Sequence, residues 1–198
     1  PTTDTTPDYT FSSTESGAIT YGGSCSSSTT SAISGNNTIT LSSLSDGTYA
    51  DCTITVSKTL TTNKSKTNLS GSLTITSFTV DSTTSTLTEV TAVTTPTNDT
   101  TPDYTFSSTK AGTITYGGSC SSSTTSATTD NNTITLVSLT EGTYSNCTIT
   151  VTDNSSNSVT LNMSSFVIDT TAPTVSSVST TADNQSWVSI TDNITVTF

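Results

Sequence analysis

The sequence predicts an all-β chain built from two tandem sandwiches, and three observations carry that prediction. Apolar and polar residues alternate over short runs, turn residues separate the runs, and the chain repeats itself after 95 residues. Residues 1–56 overlie 96–151 without a gap, and 44 of those 56 positions are identical. The phrase "PDYTFSST" recurs whole at 7–14 and 102–109, and "CTITV" closes both stretches. A period of this length marks repeated structural units. Short strands at this spacing within about ninety residues suit a two-layer β architecture.

In the first copy the alternation gives strands in order. Tyr9 and Phe11 share a face, then Ile19 and Tyr21, then Ile39 and Leu41. Cys52, Ile54 and Val56 follow, and then Leu73 and Ile75. Phe78 and Val80 have the opposite parity, which predicts a bulge or kink near Ser77. The intervals "YGGS", "SGNN" and "SDGT" hold the Gly, Asn and Asp that tight turns need. No stretch has a helical apolar period. After Val56 the first copy reaches its "SFTVD" through a segment seven residues longer than the second copy's route to "SFVID". Such a length difference predicts a surface loop.

Threonine and serine make up 93 of 198 residues, and only 29% of the chain is hydrophobic. That composition raises disorder as a reading. The low charge density of 10% and the regular alternation oppose it. Threonine is β-branched and suits a strand whose outer face meets water. The recurring Thr-x-Thr pairs are therefore read as a soluble face, since a twisted sheet would not keep them planar enough to order ice. A net charge of −11, with neither His nor Arg, repels nucleic acid and anionic membranes. No apolar run is long enough to span a bilayer, so no direct membrane insertion is expected in this segment.

Each copy holds one cysteine pair at the same spacing, Cys25 with Cys52 and Cys120 with Cys147. Four cysteines allow three connectivities, and the repeat selects one disulfide within each copy. A metal site would need further ligands, and the chain has neither a CxxC nor any histidine. Disulfides place the chain in an oxidising, extracellular or cell-surface location.

"LSSLSDGTYADCTITV" at 41–56 resembles the turn and penultimate strand of bacterial immunoglobulin-like repeats, in which a Leu…Asp-Gly-Thr-Tyr segment precedes an alternating strand. "TPTNDTTPDYTF" at 95–106 is similar to the Asn-Asp-x-Thr-Pro opening of those repeats, and "VIDTTAPTVSSV" at 167–178 to the linker between them. "SITDNITVTF" at 189–198 resembles an early strand of a related module. The resemblance implies all-β tandem immunoglobulin-like sandwiches, as found in large surface adhesins and extracellular filaments. Its units are expected at 1–82, 83–171 and, as opening strands only, 172–198. Tyr49 stands in the corner-tyrosine place, but Cys52 follows by three residues where antibody domains have two. That departure predicts a bulge between them, and a bridge that staples a loop to a strand end.

The second copy is preceded by "STLTEVTAVTT" at 85–95, which reads as its first strand, and the first copy has no counterpart. The expectation is a window from a long array. The alternative is a filament subunit whose tail completes a neighbouring chain by strand addition. Expected partners are thus adjoining repeats or copies of the same protein, end to end; the terminal receptor is unspecified.

No catalytic residue is assigned, and the chain is expected not to be an enzyme. Histidine is absent, the cysteines are paired, and no serine has an activating neighbour in sequence. Glu15 and Glu141 read as solvated turn charges. The resemblance implies calcium at the junctions between units, with Asp81, Asp99, Asp169 and Asp192 as candidate ligands; the competing role for such Asp residues is turn capping. Lys58 points inward by parity and raises a lysine–asparagine crosslink, although the second copy has Asp153 there. Asn36, Asn63 and Asn68 begin a series of glycosylation triplets. The expected function is a structural segment of an adhesin stalk or extracellular filament, against a competing carbohydrate-binding module that would need exposed aromatics.

Overall fold

Strand follows strand along the chain, and no helix interrupts them among the described residues. The computed structural model describes residues 1–62, 65–180 and 194–197. The first copy contributes β1 (Asp8–Ser13), β2 (Gly17–Gly22), β3 (Ser31–Ala32), β4 (Gly35–Thr40), β5 (Gly47–Tyr49), β6 (Thr53–Thr61), β7 (Lys66–Thr74) and β8 (Phe78–Val80). Next comes β9 (Leu87–Thr91). The second copy continues with β10 (Asp103–Ser108), β11 (Gly112–Gly117), β12 (Ser126–Ala127), β13 (Asp130–Thr135), β14 (Gly142–Tyr144), β15 (Thr148–Thr152), β16 (Ser158–Asn162) and β17 (Phe166–Ile168). A last antiparallel pair joins β18 (Ser177–Thr180) to β19 (Ile194–Thr197).

The two copies pair their strands by one plan. Sheets β3-β2-β6-β7, β1-β4 and β5-β8 in the first correspond to β12-β11-β15-β16, β10-β13 and β14-β17 in the second. The second copy has one addition: β9 lies along the outer edge of β10. Each copy has its own apolar cluster, to which all of its sheets contribute. Phe11 and Ile39 come from β1-β4, Ile19 and Ile54 from the four-stranded sheet, and Val80 from β8.

Threonine faces water in pairs. Hydroxyls meet across strands at Thr10–Thr38 (2.9 Å), Thr48–Thr79 (3.1 Å) and Thr150–Thr160 (2.7 Å). Such cross-strand pairs stabilise a sheet by roughly 0.2–1 kcal/mol each. A threonine-rich outer face therefore contributes to strand pairing while the small core supplies burial.

The parity change near Ser77 has a different origin from the expected bulge. β7 ends at Thr74 and β8 starts at Phe78 in another sheet, so the chain changes sheets and the side-chain phase resets. Likewise Tyr49 ends β5 and Thr53 begins β6, again across sheets, so no bulge within one strand separates Tyr49 from Cys52. The seven extra residues also do not simply enlarge a loop. They lengthen the hairpin itself, since β6 and β7 have nine residues each where β15 and β16 have five.

Tyr49 donates its hydroxyl to the Ser45 carbonyl at 2.8 Å and stacks on Phe78 at 5.4 Å. Tyr144 does the same with Thr140 and Phe166. Cys25 bonds to Cys52, and Cys120 to Cys147, each pair with Cα atoms 5.2 Å apart. In both copies the bridge ties the loop after the second strand to the residue just before a central strand. Gly23 permits this approach: its φ is +73°, and a Cβ would collide with the Asp51 carbonyl oxygen. Tyr21 holds the same loop by donating to Thr29 at 2.6 Å.

Candidate functional site: the joint between the copies

Asp81 directly follows β8 of the first copy and begins the short connection to β9. Its carboxylate accepts two bonds from the Lys110 ammonium, at 2.7 and 2.9 Å. Lys110 lies in the β10–β11 turn, and it also donates to the Thr83 carbonyl (2.5 Å) and to Asp153 (3.1 Å). The tight turn at 153–157 between β15 and β16 supplies the rest of the grip. Asn157 donates its side-chain amide to the Asp81 carbonyl at 2.9 Å, and the Ser155 hydroxyl donates to the Asp81 carboxylate at 3.3 Å.

Asp153 organises that turn from inside. Its side chain is only 2% exposed, and it accepts from the backbone N–H groups of Ser155 and Asn157, each at 2.9 Å. Burial opposes its ionisation, but hydrogen bonds from Asn157, Lys110 and Ser155 outweigh burial and hold the carboxyl below its ordinary range. The Lys110 ammonium is held above its usual value, chiefly by its bond to Asp81. Its contribution is fully present below pH 10.5 and is lost as pH rises through the higher folded value.

The connection is gripped from the other side as well. Asp46 accepts from the Ser82 N–H (2.8 Å), the Ser82 hydroxyl (2.7 Å) and the Thr83 hydroxyl. These bonds, that of Thr83 foremost, pull its carboxyl down to about 2. Thr83 is thus tied to the first copy through its hydroxyl and to the second through its carbonyl. Because the folded Asp46 is the stronger acid, its stabilising contribution is complete above pH 3.8 and disappears as pH falls through about 2. Amide exchange at Ser82 and Thr83 is therefore expected to accelerate, relative to the core strands, on acidification from pH 5 to pH 2. Unchanged relative protection across that range would contradict the assignment.

Among the described residues the candidate calcium ligands are not brought together. Asp81 faces an ammonium, and Asp99 caps its own turn by accepting from the Thr101 N–H at 2.9 Å. Asp99 lies beyond Thr97, which bridges to Ile168 at the far end of the second copy, so it does not meet Asp81. Asp169 accepts from the Thr171 N–H at 3.1 Å. Asp192 lies outside the described residues. Among the described residues, no three acidic, cysteine or histidine side chains are grouped to hold a metal. The oxygen donors at this joint hold the Lys110 ammonium.

Sequence reasoning gave no site role to Lys110, Asp153, Asn157 or Asp46. A signal for the first two exists in the repeat. Glu15 and Lys58 of the first copy become Lys110 and Asp153 in the second, a reversal of both charges. In the first copy these residues also pair, Lys58 Nζ lying 2.7 Å from Glu15, so Lys58 has a carboxylate partner in place of a crosslink. Glu141, at the place of Asp46, accepts from the hydroxyls of Thr170 and Thr171 and is more than a solvated turn charge.

Comparison with protein-family models, with curated proteins and with solved structures returns no match for the chain.

Proposed function

We propose that this chain is a non-enzymatic structural segment of an extracellular stalk, adhesin or filament, made of tandem immunoglobulin-like sandwiches. The observation that carries the reading is the joint: Asp81 and Thr83 are gripped by both copies through direct hydrogen bonds and an ion pair. A connection of this kind suits a part that must transmit force and hold direction between repeats. The backward-bonding tyrosines Tyr49 and Tyr144 and the shared strand plan support the immunoglobulin-like assignment. The two disulfides suit an oxidising environment. No helix among the described residues is long and apolar enough to cross a membrane.

In this reading Lys110 stiffens the joint with the protein's own cation, so the joint needs no calcium. Removing divalent cations with a chelator is expected to leave the melting temperature unchanged; a fall of several degrees would revive a bound ion. The location is tested on cells of the source organism. Antibody raised against the chain should label intact, unpermeabilised cells or material shed from them. Labelling that requires lysis would end the reading.

A further inference from the structure

The first copy has an open cleft where the second copy is filled. β10 is flanked by β13 on one side and β9 on the other, whereas among the described residues β1 pairs only with β4. Beside the bare edge of β1 the structure has a cleft of about 580 Å³, walled by Phe11, Ser13, Val56, Leu69 and Leu73. Among the described residues, three of the exposed large apolar side chains lie in it: Leu60 (42%), Leu69 (52%) and Leu73 (43%). Tyr104 and Val151 are fully buried, while their counterparts Tyr9 and Val56 are only partly covered. Leu161, the counterpart of Leu73, packs on its core.

We infer that this cleft binds an extended strand of β9 chemistry, antiparallel to β1, and recognises it through a glutamate. The second copy supplies the bound form. Leu87 stands opposite Ser108, Thr88 opposite Ser107 and Glu89 opposite Phe106, with Val90 as the extra residue of a bulge before Thr91 meets Thr105. Glu89 accepts from the Tyr104 hydroxyl (2.9 Å), the Ser164 N–H (2.9 Å) and the Ser164 hydroxyl (2.6 Å). The same donors stand ready in the first copy, as Tyr9 and, in place of Ser164, Thr76 with its own N–H and hydroxyl. The occupant's leucine therefore stands opposite Ser13 and its glutamate opposite Phe11, within reach of Tyr9 and Thr76. An open β edge beside an apolar trough gives main-chain affinity, and the partly buried, hydrogen-bonded carboxylate gives selectivity.

The inference deepens the tandem-repeat reading and rests on the equivalence of the copies, not on where the protein works; cell labelling and strand binding succeed or fail independently. The test adds a synthetic peptide of residues 85–95 to the full chain and follows binding by calorimetry and backbone hydrogen exchange. Protection is expected at residues 10–13 and not at 105–108, where β9 is already in place. A peptide carrying Glu89→Gln is expected to bind about tenfold more weakly, the worth of a hydrogen bond to a charged group. Tyr9→Phe in the chain should weaken the native peptide and leave the glutamine peptide nearly unaffected. No binding at millimolar peptide, protection away from β1, or equal affinity for both peptides would overturn the inference. Tighter binding of a peptide of residues 172–180 would overturn it too, in favour of the tail of a second copy.

Discussion

Replacing both Cys25 and Cys52 with alanine is expected to lower the stability of the first copy by about 2–5 kcal/mol and leave the second copy nearly unchanged. The bridge closes a separation of 27 residues, and Cys52 is wholly buried among Ile54, Ile75 and Leu41. The core it serves is lean, so the loss is a large share of a domain's usual margin. Each copy has its own cluster, and the joint between them is polar. Calorimetry should therefore resolve a lowered transition for the first copy beside an unshifted one for the second. A single transition moving as a whole would mean that the two cores melt as one unit.

The second large effect concerns Lys110. Lys110→Ala removes the ammonium from Asp81 and from the buried Asp153. Asp153 keeps its bonds to Asn157 and two backbone N–H groups, so the expected cost is moderate, about 1–3 kcal/mol. Lys58→Ala is the contrast. Its pair with Glu15 is exposed on both sides, so solvent screens it and the variant is expected to lose little stability. Chemical denaturation of the two variants should separate them clearly. Equal losses would show that Lys110 acts only as a surface charge.

The strands and turns were legible because alternation and turn chemistry are local. Tyr9 with Phe11 and Ile54 with Val56 announce β1 and β6 without outside information. Where the chain passes from one sheet to another was not legible. The parity reset at Phe78 looks the same for a bulge as for a sheet change, and only pairing across the fold distinguishes them. The joint was hidden for a related reason. Asp81 meets Lys110, Ser155 and Asn157, which lie 29 to 76 residues away, and no short-range pattern marks such a meeting. Only the exchange of Glu15 and Lys58 for Lys110 and Asp153 records it, as a reversed pair that keeps its complementarity. Asp residues beside Thr were readable as caps, and Asp99 and Asp169 behave so. Asp81 differs through tertiary contacts alone.

In the proposed stalk the two copies are held in one fixed orientation by the Asp81–Lys110 joint. Small-angle scattering of the full chain, beside a chain carrying Asp81→Ala and Lys110→Ala together, tests it most directly. The native chain should fit one shape whose maximum dimension does not change with chelator. The double variant should need a spread of bent shapes while its strand content, followed by circular dichroism, stays constant. Superimposable profiles from the two chains would contradict the claim.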